Sequence, residues 1–112
     1  MVSTIVLPLD SIIAMKLKMQ ELLMEPVSVK VLKSYADFTI KFETKDRTYY
    51  LMFFESLFQD DIKFQWQINK GWDWEYGTKE LLCSFNELED WSKESSFYDR
   101  IFEPIKNYIN SK

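Results

Sequence analysis

A chain of 112 residues, 46% of them hydrophobic, has the length of one domain and enough apolar side chains for a core. The formal net charge is −4, and residues 72–103 hold nine acids against three bases, which gives this segment a charge of −6. This distribution argues against a nucleic-acid-binding protein, because phosphate contacts need clustered Lys and Arg. With only two glycines and three prolines there is no flexible linker, so we expect a single compact domain over residues 1–112.

The sequence also bears on the compartment. No basic stretch precedes the short apolar run at the N-terminus, and no segment approaches the roughly 20 apolar residues that span a bilayer. A single cysteine, Cys83, cannot form an internal disulfide, which agrees with a reducing environment. We therefore expect a soluble, cytoplasmic protein that is not secreted and does not bind a membrane.

The first predicted element is a helix that Asp10 or Ser11 can cap and that ends before Pro26. Apolar residues recur at helical spacing along one side of it, so this side is expected to pack on a sheet. They are Ile12, Met15, Met19 and Leu22, with Ile13 and Leu23 beside them. Three methionines lie in this segment, and we interpret them as core filling rather than as an adaptable binding surface.

After Pro26 the apolar residues recur with a period of two, which is typical of strands. The alternating runs cover residues 27–31, 38–42 and 62–68. The polar residues 44–47 predict a hairpin built on a type I turn. Residues 48–54 carry large side chains on both faces, which predicts a central strand that is covered on both sides.

Residues 71–77 hold three aromatic residues between the only two glycines. We interpret them as a hairpin-like loop that leads into residues 80–83, with a short irregular strand as the alternative. Ser84 and Glu87 then have the spacing of a capping box, which predicts a short helix up to Trp91.

A last helix is predicted after Ser95 or Ser96, either of which can cap it. Pro104 interrupts its pattern, so this helix either kinks near Arg100 or restarts with Glu103 as its cap. The fold class is therefore α+β. We expect an antiparallel meander of four or five strands, with the N-terminal helix on one face and one or two C-terminal helices over the other face or end.

The sequence gives little support for catalysis. It contains no histidine, which excludes Ser–His and Cys–His nucleophile pairs and removes the usual nitrogen ligand of zinc. Cys83 is interpreted as a buried structural thiol. The acidic pairs at residues 60–61 and at Asp73 with Glu75 could hold Ca²⁺ or Mg²⁺, but neighbouring acids are more often solvated turn residues. We therefore predict no catalytic residue, no cofactor and no metal site.

The three aromatic side chains within residues 71–77 allow three interpretations. They could stack on sugar rings, anchor a protein partner, or fold back over the sheet as a second small core. The acids between the rings favour a protein partner with a basic surface. The predicted partner-binding residues are Trp72, Asp73, Trp74, Glu75, Tyr76, Glu89 and Asp90.

The leading hypothesis is a small acidic binding protein without enzymatic activity, an inhibitor or immunity-type factor that occludes the basic surface of another protein, such as a nucleic-acid-binding one. Anti-CRISPR, toxin-immunity and DNA-mimic proteins have this general size and charge. One alternative is a small-ligand or carbohydrate-binding module that uses residues 71–77. The other is a structural subunit that pairs with itself through a strand edge. Either a monomer or a homodimer is compatible with these hypotheses.

Overall fold

The structure, a computed structural model, describes residues 9–33, 37–55, 61–84 and 96–111. Within these residues lie helix α1 (Leu9–Leu23), helix α2 (Ser96–Asn110) and a six-stranded sheet. The strands are β1 (Ser28–Lys33), β2 (Asp37–Glu43), β3 (Arg47–Glu55), β4 (Asp61–Lys70), β5 (Asp73–Gly77) and β6 (Leu81–Ser84). The short helix predicted after Ser84 falls outside the described residues.

The sheet is an antiparallel meander in which β1 to β5 are neighbours in chain order. β5 and β6 lie end to end along the free side of β4, so that β5 pairs with one half of β4 and β6 with the other. Between them, Thr78 continues the pairing, because its amide donates to the Trp66 carbonyl and its hydroxyl accepts from the Trp66 amide. The predicted α+β class is confirmed, and β5 and β6 extend the four predicted strands.

The period of two in the sequence produces one buried face on this sheet. Its inward side chains are nearly without solvent exposure; they are Phe38, Ile40, Phe42, Tyr49, Leu51, Phe53, Ile62, Phe64, Trp66 and Ile68. Their aromatic rings pack on one another, as where Phe42 stacks on Trp66 with ring centroids 5.9 Å apart. Ring pairs of this kind stabilise a core beyond the area that they bury.

Helix α1 lies over this buried face. Met15 and Met19 are fully buried, which confirms core filling for these two methionines, whereas Met24 is 90% exposed. Ile13, which was expected near the packed side, is also exposed. Met24 has a φ of 58°, and this left-handed residue ends the helix before Pro26 as expected. The side-chain oxygen of Gln20 accepts a hydrogen bond from the Val27 amide, which ties the end of α1 to the start of β1.

Helix α2 lies on the same face as α1, and this placement differs from the prediction. Phe97 packs edge-on against the inward Phe64, with centroids 6.0 Å apart, and the Tyr98 hydroxyl donates to the Ala14 carbonyl of α1 at 3.0 Å. The core residues of both helices belong to one cluster with the inward strand residues. Within the described residues, β3 is thus covered on one face only.

The physical reason lies in the strands beside β3. The outward residues of β3 are large and apolar, but their cross-strand neighbours are polar, and these neighbours are Thr39, Lys41, Gln65 and Gln67. An amphipathic helix gains most where a whole face is apolar, because its stabilisation scales with the apolar area removed from water. Both helices therefore find their partner on the inward face.

Pro104 lies inside α2 without ending it, so the helix does not restart at Glu103. A proline lacks the amide that would bond the carbonyl four residues earlier, here Arg100. One residue further on, the Ile101 carbonyl accepts a hydrogen bond of 2.8 Å from the buried Trp66 indole. This bond satisfies the polar atom of a buried ring and ties the middle of α2 to β4.

Candidate partner-binding site

The segment of residues 71–77 forms the turn and second strand of the β4–β5 hairpin. β5 begins at Asp73, so Gly71 and Trp72 alone connect the two strands. Gly71 has a φ of 62°, which the first central position of a type II′ turn requires and which glycine adopts without strain. The favoured prediction of a loop was therefore wrong, and the alternative of a short irregular strand is confirmed.

A β-bulge in β5 distributes its side chains between the two faces of the sheet. Tyr76 lies opposite the inward Ile68 and Trp74 lies opposite the outward Asn69, so Glu75 between them has no counterpart on β4. Tyr76 is consequently on the helix side and Trp74 on the open side. The extra residue also turns Glu75 to the helix side, where it contacts Tyr108 of α2.

Glu75 is the centre of a half-buried cluster beneath the hairpin. Arg47 of β3 donates to it twice, from Nε at 3.0 Å and from Nη2 at 3.3 Å, and the Tyr108 hydroxyl donates to its Oε1. Tyr76 stacks on Tyr108 with centroids 4.9 Å apart and an interplanar angle of 16°. The hydrogen bond to Glu75 raises the pKa of the Arg47 guanidinium, which is therefore always charged. Two predicted partner-binding residues, Glu75 and Tyr76, thus make internal contacts that support the hairpin.

The other predicted residues of this segment are exposed. Trp72 is fully exposed at the turn, Asp73 is exposed, and Trp74 is 64% exposed. The Trp74 ring lies over Gly77, since a Cβ added there would come within 2.8 Å of Cζ2 of the indole. Only glycine permits so close an approach of a ring to a strand. We call Trp72, Asp73 and Trp74 the hairpin tip.

The acidic segment of residues 72–103 is only partly described. Glu75 pairs with Arg47, and Glu80 pairs with Lys63 at 3.4 Å. Asp73, Asp99 and Glu103 are exposed. The predicted site residues Glu89 and Asp90 fall outside the described residues, as do Glu87 and Glu94.

The outward side of the sheet is a feature that the sequence prediction missed. We call it the open face. Across it, the register places Trp74 opposite Asn69, and Gln67 opposite both Gly77 and Tyr50. Tyr50, Met52 and Phe54 follow one another along β3 and are half-buried. The outward residues of β4 are polar, and the position of α2 shows that none of the described helices covers this side.

A groove of about 1050 Å³ lies elsewhere, between the end of α1 and the β2–β3 turn. Lys16, Lys45, Glu25 and Asp46 are among its lining residues. Its lining therefore carries charges of both signs. It does not include any residue of the hairpin tip.

The described part of the chain contains no group of three or more Cys, Asp and Glu residues that could hold a metal ion. Cys83 is buried in β6, and Glu75 of the predicted acidic pair is held by Arg47. Neither α1 nor α2 is long and apolar enough to cross a bilayer. The absence of catalytic residues and cofactors stays a prediction.

Comparison with protein-family models, with curated proteins and with solved structures gives no match to this chain.

Proposed function

We propose that this protein is a small acidic binding protein without enzymatic activity, an inhibitor or immunity-type factor of the cytoplasm. In this proposal the hairpin tip docks on a basic surface of a partner protein and occludes it. The observation that carries the proposal is the exposure of Trp72 and Trp74 at the end of a supported hairpin.

Trp72 gives the strongest support. Its side chain is fully exposed, so it contributes nothing to the core. Tryptophan is enriched among the residues that carry most of the binding energy of protein interfaces, because it buries a large area with few rotatable bonds. A fully exposed indole beside a second exposed indole is therefore best explained as an anchor for a partner.

The hairpin is also held in place before binding. The two-residue turn, the Arg47–Glu75 ion pair and the Tyr76–Tyr108 stack each restrict its position. Association costs less when the binding residues are already ordered, because less conformational entropy is lost. The cluster beneath the hairpin thus supports its role as a binding element.

Charge favours a basic partner. The chain carries a net charge of −4, and Asp73 places an exposed carboxylate at the hairpin tip. Complementary charge accelerates encounter and disfavours acidic competitors. Surfaces that bind nucleic acid are basic because they contact phosphates, and they are the partner class that we propose.

The experiment compares three variants with the wild type. Partners are captured from cells of the source organism, and the association of each recovered protein is then measured with purified components. Trp72→Ala is expected to weaken binding by about 2 kcal/mol, or roughly thirtyfold, mainly through faster dissociation. Asp73→Asn is expected to slow association and to flatten its dependence on salt.

Met24→Ala is the matched control, since Met24 is 90% exposed at the end of α1 and lies outside the hairpin tip. A specific partner should bind this variant as tightly as the wild type. Equal binding of the Trp72 and Met24 variants by every captured protein would show that the hairpin tip is not the docking site.

A further inference from the structure

We propose that the open face holds a second binding site, which takes a neutral saccharide ring and is formed by Trp74, Gln67 and Asn69. This site shares Trp74 with the hairpin tip, but it does not involve Trp72 and does not rest on the partner-binding function.

The Trp74 ring is a prepared stacking surface. One side of it lies against Gly77 at a distance that a Cβ would forbid, while the side chain as a whole remains 64% exposed. The open side of the ring therefore faces solvent from a defined position. An aromatic ring fixed in this way can receive the apolar face of a pyranose without an ordering cost of its own.

Two amides lie beside this ring. Asn69 is the cross-strand partner of Trp74, and Gln67 is the partner of Gly77. Directly opposite residues have Cβ atoms within about 5.5 Å of each other, so Asn69 lies next to Trp74. Gln67 Nε2 donates to Asn69 Oδ1 at 3.1 Å, so each amide orients the other. This bond leaves Gln67 Oε1 as an acceptor and Asn69 Nδ2 as a donor, and a sugar hydroxyl can serve both.

The charge around the ring selects a neutral ligand. The outward neighbours of Trp74 on β3 and β4 are uncharged; they are Thr48, Tyr50, Gln67 and Asn69. Lys41 lies beyond Tyr50 on β2 and is paired with Glu43 at 2.7 Å. A phosphate or carboxylate thus finds no cation among these neighbours, and a polyanion would meet a protein of net charge −4.

Tyr50 extends the site across the sheet. It lies opposite Gln67 on β3, two strands away from β5, which is about 10 Å at the usual strand spacing. Trp74 and Tyr50 therefore flank the amides on either side. This spacing suits a short oligosaccharide better than a single sugar.

The test uses a panel of neutral oligosaccharides at millimolar concentration, with binding to the whole chain followed by calorimetry and by ligand-observed NMR. At least one neutral oligosaccharide is expected to bind the wild type. Trp74→Leu should abolish its binding. Gly77→Ala keeps the indole but displaces it from the strand, and should weaken binding at least about tenfold. Trp72→Leu, which removes the other exposed indole, should bind like the wild type.

Thermal unfolding of each variant separates binding from folding. If Gly77→Ala does not fold, Gln67→Ala replaces it, because this half-buried side chain lies on the open face and supports no core contact. Several results would overturn the proposal: no neutral oligosaccharide binds, binding survives Trp74→Leu, Trp72→Leu weakens it equally, or an oligonucleotide binds in its place. The partner-binding test depends on Trp72 and Asp73, whereas this test depends on Trp74 and Gly77. The failure of one proposal can therefore be distinguished from the failure of the other.

Discussion

The two faces of the sheet arise from the same alternating sequence, but they carry different side chains. On the inward face, the alternating residues within 38–42 of β2, 49–53 of β3 and 62–68 of β4 are large, apolar and buried beneath α1 and α2. On the open face, β3 alone carries a continuous run of large side chains, and its neighbours are threonine, lysine, glutamine and asparagine. The inward face therefore holds the core, whereas neither α1 nor α2, the two described helices, covers the open face.

This difference shows what decides where a helix docks. A single apolar strand does not attract a helix when the strands on both sides of it are polar, because the helix would then bury polar groups without partners. Tyr50 and its outward neighbours are instead half-buried by adjacent side chains. The unit that recruits a helix is a face formed by several strands.

The sharpest test compares neighbouring residues of β3. Leu51 is fully buried on the inward face, and Leu51→Ala is expected to lower the free energy of unfolding by about 2 to 5 kcal/mol through lost transfer energy and a cavity. Met52 is half-buried on the open face, and Met52→Ala should cost about 1 kcal/mol or less. Urea denaturation measures both, and equal losses would mean that the two faces are not distinct.

The next test compares an ion pair on each face. Glu75→Gln weakens charge-assisted hydrogen bonds from Arg47, and we expect a loss of about 1.5 to 3 kcal/mol because both side chains are largely buried. Glu43→Gln removes the pair with Lys41 on the open face and should cost much less than Glu75→Gln, because solvent screens this pair. Chemical denaturation of Glu75→Gln, of Arg47→Ala and of the double variant gives the coupling energy of this pair, which should be near zero if the cluster has no structural role.

The third test concerns the contact between the helices on the inward face. Burial raises the pKa of Tyr98 to about 12, with smaller contributions from Asp99 and Glu21, whereas an unfolded tyrosine ionises near 10. The folded state therefore keeps a proton that the unfolded state loses. Stability from this group is complete below about pH 10 and is lost as the pH rises towards 12, by at most about 1.4 kcal/mol per pH unit.

Tyr98→Phe removes this titration together with the hydrogen bond to Ala14. The variant should be about 1 kcal/mol less stable at neutral pH but should lose less stability than the wild type above pH 10. Parallel pH curves for the two proteins would show that Tyr98 is not buried between the helices.

The smallest expected effect is on the open face. Lys63→Ala removes an exposed pair with Glu80 and should change stability by less than about 0.5 kcal/mol. A loss comparable with that of Leu51→Ala would show that this face is covered after all. The same urea series measures it.

Much of this fold could be predicted from the sequence. The alternation of Phe38, Ile40 and Phe42 and of the corresponding residues in β4 identified these two strands and their inward residues, because burial of one face imposes a period of two. β3 was identified as the central strand, but its large residues on both faces did not show which side is inward. Met15 and Met19 identified the packed side of α1. The side on which α2 packs could not be obtained in this way, since it depends on which residues become neighbours across strands.

The candidate site was harder to predict for a related reason. A strict period of two would place Trp74 and Tyr76 on one face and Glu75 on the other. The bulge changes this order, so Trp74 alone faces outward while Glu75 and Tyr76 support the hairpin from beneath. No composition rule marks a bulge, although Gly77 was a signal that a ring approaches the strand closely.

The division of one sheet edge between β5 and β6 has a consequence for behaviour in a crowded solution. A strand edge with a continuous row of unpaired amides and carbonyls can template another chain and lead to aggregation. Here the edge is bulged at Glu75 and broken at Thr78, whose hydroxyl replaces a backbone acceptor for Trp66. The opposite edge, β1, carries Lys30 and Lys33, whose charges repel a like strand. Among the described residues, one edge is thus interrupted and the other carries two lysines, and both features disfavour the pairing of one copy of the sheet with another.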